Sequence, residues 1–374
     1  MVGTYLDHAA TTPLRPAAVE AMLPWLTGRF GNPSGAHAVA RAARAAVEEA
    51  REDVAAALGC APSEVVFTSG GTEADNLAVL GVPGPGPVLC SAVEHHAVLE
   101  PVAARGGTTV AVDHHGRVDL DALADAVGPT TALVSVGLAN NEVGTVQPLA
   151  EVVAVVRDRA PGAAVHTDAV QAAPWLDVAA LAAGADLVSI SAHKLGGPQG
   201  VGALVVRGGR RLTPVLLGGG QEAERRSGTH NVAGIVGLSA ALREVVATRE
   251  ATAARVRRLR DRLSAGLVAA VPGAAVTGHP TDRVAGSCSL TVEGVESEAL
   301  LVLLDRAGVC ASAASACASG ALRPSHVLAA MGVPANRGAG ALRLSLGWCS
   351  TEADVDAALE AVPAAVARLR RAAA

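Results

Sequence analysis

The chain has 374 residues, half of them apolar, with 30 Lys and Arg set against 35 Asp and Glu for a formal net charge of -5. Interspersed charge of this kind lacks the basic footprint of a direct nucleic-acid binder, and six cysteines with no CxxC pair predict neither a disulfide framework nor a metal site. Mean hydropathy is +0.36, yet charge, Gly or Pro interrupts every apolar stretch and the opening MVGTYLDHAATTPLRP is polar. No membrane span or secretory leader is expected, and a cytoplasmic location follows as the expectation.

A chain of this length has room for about two or three domains and should bury about 75% of its extended surface. Only 2% of residues are aromatic, so the core is expected to be aliphatic and alanine-rich. Residues 36–59 place Val39, Ala43, Val47, Val54 and Leu58 near one face of an amphipathic helix that ends near Gly59. Residues 64–81 then read as a strand, a glycine turn and a helix.

Apolar runs of strand length follow at 87–92, 131–136, 163–168, 186–191 and 202–207, some separated by helical segments such as 149–160. That alternation predicts a large α/β domain with a mostly parallel sheet. Beyond the polar loop 218–231, residues 241–273 read as one or two long helices able to bridge two lobes, and the strand and helix patterns that follow fit a smaller α/β domain.

The residues with chemistry lie at the ends of these elements. In SISAHKLGGPQGVGALVV, residues 189–206, an apolar strand delivers Ser191, His193 and Lys194 to a glycine-rich turn. A lone lysine is most often a solvated surface group, but beside a carbonyl cofactor its amine forms a Schiff base. TSGGTEADN, residues 68–76, uses Gly70 and Gly71 for a tight turn that leaves backbone N–H groups and Thr72 at a helix start, either a phosphate seat or simply a capped helix. HTDAVQ, residues 166–171, offers Asp168 and Gln171, where the carboxylate is suited to a protonated ring nitrogen or to ordinary capping.

Together, from YLDHAATTP (5–13) through GNPSGAH (31–37) to the last elements, these strings resemble the class V aminotransferase-like enzymes that use pyridoxal 5'-phosphate (PLP), specifically the NifS/IscS-type cysteine desulfurases. The resemblance implies a fold type I PLP enzyme: an N-terminal arm, 1–14, associated with a small domain; a large cofactor-binding domain, 15–255; and a small C-terminal domain, 256–374, carrying a mobile catalytic loop. It assigns Lys194 to the cofactor bond, Asp168 to the pyridine nitrogen, Gln171 to the phenolic oxygen and His95 of SAVEHHAVLE to the face of the ring. His96 is the weaker match there. Gly71, Thr72, Ser191 and His193 fall to the phosphate, joined by Thr229 of RRSGTHN from a neighbouring subunit, so a homodimer is implied.

By the same resemblance, Asn141 of LANNEVGTVQP meets cofactor and substrate, and Arg343 of ALRLSLG receives the amino-acid carboxylate, a task suited to a two-pronged donor. Cys317 of CASAASACASGALRPSHVL becomes the thiolate that takes sulfur from L-cysteine as a persulfide, leaving alanine. Ala314 before Ser315 departs from the usual GSAC form and removes a glycine's backbone freedom. The implied recipient of the sulfur is an iron-sulfur scaffold, a tRNA-thiolation system or another sulfur carrier. A selenocysteine lyase or another PLP-dependent cysteine-processing lyase, and a noncatalytic PLP-containing scaffold in a sulfur-transfer complex, are the alternatives.

Overall fold

The computed structural model describes residues 3–313 and 325–373. Its strands are, in chain order, β1 Thr4–Tyr5, β2 Val65–Thr68, β3 Val88–Ser91, β4 Thr108–Val110, β5 Leu133–Ser135, β6 Ala164–Asp168, β7 Leu187–Ser191, β8 Gly202–Val206, β9 Ala274–Val276, β10 Ser287–Val292, β11 Val309–Cys310 and β12 Ala341–Ser345. Seven of them form the large sheet in the order β2-β8-β7-β6-β5-β3-β4. Strands β3 to β7 are joined in parallel, whereas β8 runs antiparallel to both β7 and β2. The sheet is therefore mixed: no helical crossover separates β7 from β8, only the short turn through Lys194, and a short connection returns the chain antiparallel.

The first long helix spans Ala38–Leu58 and ends on Gly59, which takes a left-handed conformation with φ 63°. Its buried face comprises Ala40, Ala43, Val47, Ala50, Val54 and Leu58. Val39, expected on that face, is instead 41% exposed, because it sits in the first turn ahead of the packed stripe. A single helix, Val232–Ala270, covers the region expected to hold one or two. Its first half, to Val245, packs into the apolar cluster beneath the large sheet, and from Ala253 onward it packs with β10, β12 and the helix Glu352–Ala373 in a second cluster.

The second cluster surrounds a three-stranded antiparallel sheet, β12-β10-β9. The N-terminal arm joins it: β1 pairs in parallel with β11, and Leu6 is fully buried there. Beyond Leu6 the arm crosses to the C-terminal ends of β6 and β7. In an α/β sheet those ends form the binding edge, so the arm brings residues 7–11 from the far end of the chain to the place where β6 and β7 deliver Asp168 and Lys194.

Candidate active site

A cleft of about 330 Å³ lies at this edge, lined by Gly71, Thr72, His95, Asn141, Asp168, Gln171, Ser191, His193, Lys194 and Arg343, among others. Ten of the twelve residues singled out from the sequence thus meet in one cavity. Cys317 lies outside the described residues. Thr229 is exposed and does not line the cleft of its own chain.

Lys194 sits in the one-turn helix Ala192–Leu195 that follows β7. Gly196 ends that turn at φ 83°, and a Cβ there would come within 2.7 Å of Arg15 Cγ, so glycine is required on both backbone and steric grounds. Lys194 Nζ donates to the carbonyl of Ala10 at 2.8 Å and also to that of Ala9. Gln171 donates its amide to Ala9 as well, at 2.8 Å.

One end of the cleft is built to receive an anion. The helix Gly71–Gly81 points its first N–H groups there, and Gly71 is packed so closely that a Cβ would meet Val170 Cγ2 at 2.8 Å. Ser191 and His193 approach from β7 and its turn. His193 Nδ1 lies 3.2 Å from Thr11 Oγ1, and burial followed by the charge of Lys194 lowers its pKa to about 4.

The opposite end is acidic. Asp168 accepts from the backbone N–H of Val170 at 2.8 Å; burial raises its pKa to about 6 against the lowering effect of that bond and of Lys194. Glu94 accepts from Gly137 N–H at 2.6 Å and is pushed up to about 8, mainly by burial. Asp75 is 1% exposed, its Oδ1 has no hydrogen-bond partner among the described residues and lies 3.5 Å from His166 Nε2, and burial followed by the charge of Asp168 raises its pKa. Beside it, His166 lies between Ser135 Oγ at 2.8 Å and Ser189 Oγ at 2.9 Å, kept neutral by burial with a pKa of about 3. Two buried carboxyls, Asp75 and Glu94, and the half-buried Asp168, with few donors between them, create a pocket that favours a cation.

His95 caps the helix His96–Ala104, its Nδ1 accepting from Ala97 N–H at 3.1 Å. Its pKa is lowered to about 4 by burial and then Lys194, so at neutral pH the ring is uncharged and that hydrogen bond assigns its proton to Nε2. His96, the weaker match, is not among the cleft residues and lies 3.5 Å from Glu100. Across the cleft Arg343, on β12, is 3% exposed and donates to Asp7 Oδ1 and to the carbonyl of Asn141.

Sequence reasoning assigned no role to Asp75, Glu94, His166 or Asp7. The signal for two of them was local: Asp75 stands three residues after Thr72 on the same helix, hence on a shared face, and Glu94 precedes His95. Asp7 lies 336 residues from its partner Arg343, beyond any local pattern.

A mixed large sheet with a small antiparallel partner domain, and a lysine between anionic and cationic ends of a cleft, define a fold type I enzyme of the aminotransferase class V type. The family model for "Aminotransferase class-V" matches residues 4–358, and the chain belongs to that family. It is 47% identical over 386 residues to an IscS-like cysteine desulfurase of Mycobacterium tuberculosis, covering 99% of this chain and 98% of the relative. It is 44% identical over 376 residues to the cysteine desulfurase IscS of Methanosarcina thermophila, covering 98% and 92%. A solved structure of a NifS-like protein superposes with a TM-score of 0.91 at 34% identity, covering 98% of this chain and all of that one.

Proposed function

We propose that this chain is a PLP-dependent cysteine desulfurase that converts L-cysteine to L-alanine, holds the sulfur as a persulfide on Cys317 and passes it to an acceptor protein or thiol. The observation that carries the reading is the cleft itself, where the Lys194 amine stands between an anion-receiving helix start and a pocket of buried carboxyls. PLP has the matching polarity, a phosphate at one end and a basic ring nitrogen at the other. The Asp75 Oδ1, without a hydrogen bond among the described residues, and the raised pKa of Asp168 fit a protonated ring nitrogen, and the crowded Gly71 fits close approach of a phosphate.

Bound there, PLP supplies an aldehyde for the substrate amine and a conjugated ring that takes up the electron pair released at Cα. Gly71, Thr72, Ser191 and His193 would hold the phosphate, Asp168 the ring nitrogen and Gln171 the phenolic oxygen, with neutral His95 beside the ring. Arg343 and Asn141 orient the amino acid by its carboxylate. Lys194 Nζ removes the Cα proton. The Cys317 thiolate then attacks the substrate sulfur: an S–S bond forms as the Cβ–S bond breaks, and protonation of the carbon gives alanine.

Among the described cysteines none lines the cleft. Burial raises the thiol pKa of Cys60 to about 11 and of Cys288 to about 12, and also raises those of Cys90 and Cys349, so these are poor nucleophiles at neutral pH. Cys310 lies in β11, paired with Tyr5 of the arm, and also does not line the cleft, so the assignment of Cys317 as sulfur carrier, carried over from the resemblance, meets no rival among the described cysteines. The exposure of Thr229, together with that of Phe30 at 76% and Leu217 at 82%, supports a homodimer in which Thr229 reaches the partner's phosphate seat. The division into an arm 1–14, a large domain 15–255 and a small domain 256–374 is supported by the change of apolar cluster between Val245 and Ala253. A cytoplasmic location accords with the lack, among the described residues, of any helix long and apolar enough to cross a membrane.

The test is conversion of L-cysteine by PLP-loaded protein, with and without Cys317→Ser, under reducing conditions. Equimolar alanine and transferable sulfur, with sulfur transfer lost in the variant, is the expected outcome. Transfer unchanged in the variant rejects Cys317 as carrier, and loaded protein that yields no alanine rejects the activity.

A further inference from the structure

Arg343 is almost wholly buried, yet its guanidinium is held by groups from outside its own sheet. Nη2 donates to Asp7 Oδ1 at 2.7 Å, Nη1 donates to the carbonyl of Asn141 at 3.1 Å, and Nε has no hydrogen-bond partner among the described residues. A guanidinium carries five N–H donors, so donors remain for a carboxylate entering the cleft that Arg343 lines.

Asp7 is itself fixed by the strand that carries Arg343. Ser345 N–H donates to the carbonyl of Leu6 at 2.7 Å, and His8 N–H donates to the carbonyl of Ser345 at 3.2 Å, so backbone bonds flank Asp7 on both sides. The Tyr5 hydroxyl adds a bond to the Asp7 carbonyl at 3.1 Å. Two and three residues further on, Ala9 and Ala10 accept from Lys194 Nζ. One short stretch of the arm therefore holds both the arginine and the lysine amine.

We propose that Asp7 is a positioning residue that aims Arg343 at the α-carboxylate of the amino-acid substrate. This rests on the reading of Arg343 as the carboxylate receptor. A second carboxyl lies within reach of the charge of Arg343, which acts to lower its pKa: Glu142, which accepts a hydrogen bond from the Ser325 hydroxyl. Without the charge of Asp7, Arg343 turns toward Glu142 and presents fewer donors to the cleft. The opposing effect is repulsion between Asp7 and the substrate carboxylate. That repulsion acts across the intervening guanidinium, whereas loss of aim removes the two parallel hydrogen bonds that make arginine selective for carboxylates, so aim outweighs repulsion.

The test is steady-state kinetics of the holoenzyme with L-cysteine for Asp7→Asn, Arg343→Lys and the double variant. Asp7→Asn is expected to raise KM about tenfold with kcat kept within about threefold, the signature of lost substrate binding rather than lost chemistry. Arg343→Lys is expected to raise KM further, and the double variant to match Arg343→Lys alone, because Asp7 acts through Arg343. An unchanged or lowered KM in Asp7→Asn, alongside a raised KM in Arg343→Lys, overturns the positioning role and leaves the reading of Arg343 standing. Effects that multiply in the double variant also overturn it. An unchanged KM in Arg343→Lys overturns the reading of Arg343 itself. If Asp7→Asn fails to fold, Asp7→Glu decides: retained charge should keep KM within about threefold of the parent, and a KM raised tenfold or more in a folded, loaded variant rejects the proposal.

Discussion

Two buried acidic regions of this molecule answer the same physical problem in opposite ways. Glu222 accepts four hydrogen bonds, two from Arg51, one from the Phe67 N–H and one from His230, and these overcome burial to lower its pKa to about 2. Asp75, Glu94 and Asp168, clustered in the cleft, have few donors, and burial raises all three. The first is a finished structural joint. The second holds acidity without matching donors, as a site does when a ligand is to bring the positive charge.

The joint also holds strain. Glu222, Ala223 and Glu224 take successive left-handed conformations with φ 53°, 53° and 63°, a cost that a buried, fully bonded carboxylate offsets. The loop so fixed leads to Thr229, five residues beyond Glu224, and presents it at the surface.

The sharpest way to break this comparison is to remove the positive charge that acts on the cleft. Lys194→Ala is expected to lower turnover at least about a thousandfold, since the proposed general base is lost. In the same variant the pKa of Asp168 should rise above about 6, because Lys194 now lowers it; carbon NMR of labelled aspartate reads that shift. A pKa that falls instead removes the argument that the cleft favours a cation.

Next in size is Glu222→Gln, which keeps the shape but strips the charge that pairs with buried Arg51. A loss of about 3 kcal/mol in urea unfolding at pH 7 is expected. The ionised Glu222 has a folded pKa of about 2 against an ordinary value of 4.5, so its stabilisation is fully present above 4.5 and is lost as pH falls toward 2. Glu222→Gln should flatten that acid limb.

Smallest when read per pH unit is the inverse effect. Glu94 has a folded pKa of about 8, above its ordinary value of 4.5, so between those values the unfolded chain ionises first. Stability then declines as pH rises, by up to about 1.4 kcal/mol per pH unit. Glu94→Gln retains an acceptor for the Gly137 N–H and should remove the slope, read by urea unfolding between pH 5 and 8. A slope that persists places its origin in another group.

Much of the site was legible because the enzyme delivers its chemistry at strand ends. Asp168 closes β6, Ser191 closes β7, and Lys194 follows within one turn. Apolar runs with glycine breaks mark such ends in the sequence. The direction of β8 was not legible, since an apolar strand has the same composition whether parallel or antiparallel. Asp75 and Glu94 escaped because a buried acid and a solvated one are the same letter, and only burial distinguishes them. The contact of Asp7 with Arg343 needed the arm to cross between two cores.

By itself, the sequence determined the alternation of strands and helices, the glycine turns that allow close approach and the ordered strings that place this chain in its family. These are local, and backbone sterics and apolar periodicity are sufficient to express them. Tertiary structure alone decided which charges are raised or lowered, which carboxylate meets which arginine and how the arm reaches the lysine. Those properties depend on dielectric and distance, which arise only when segments hundreds of residues apart are packed together.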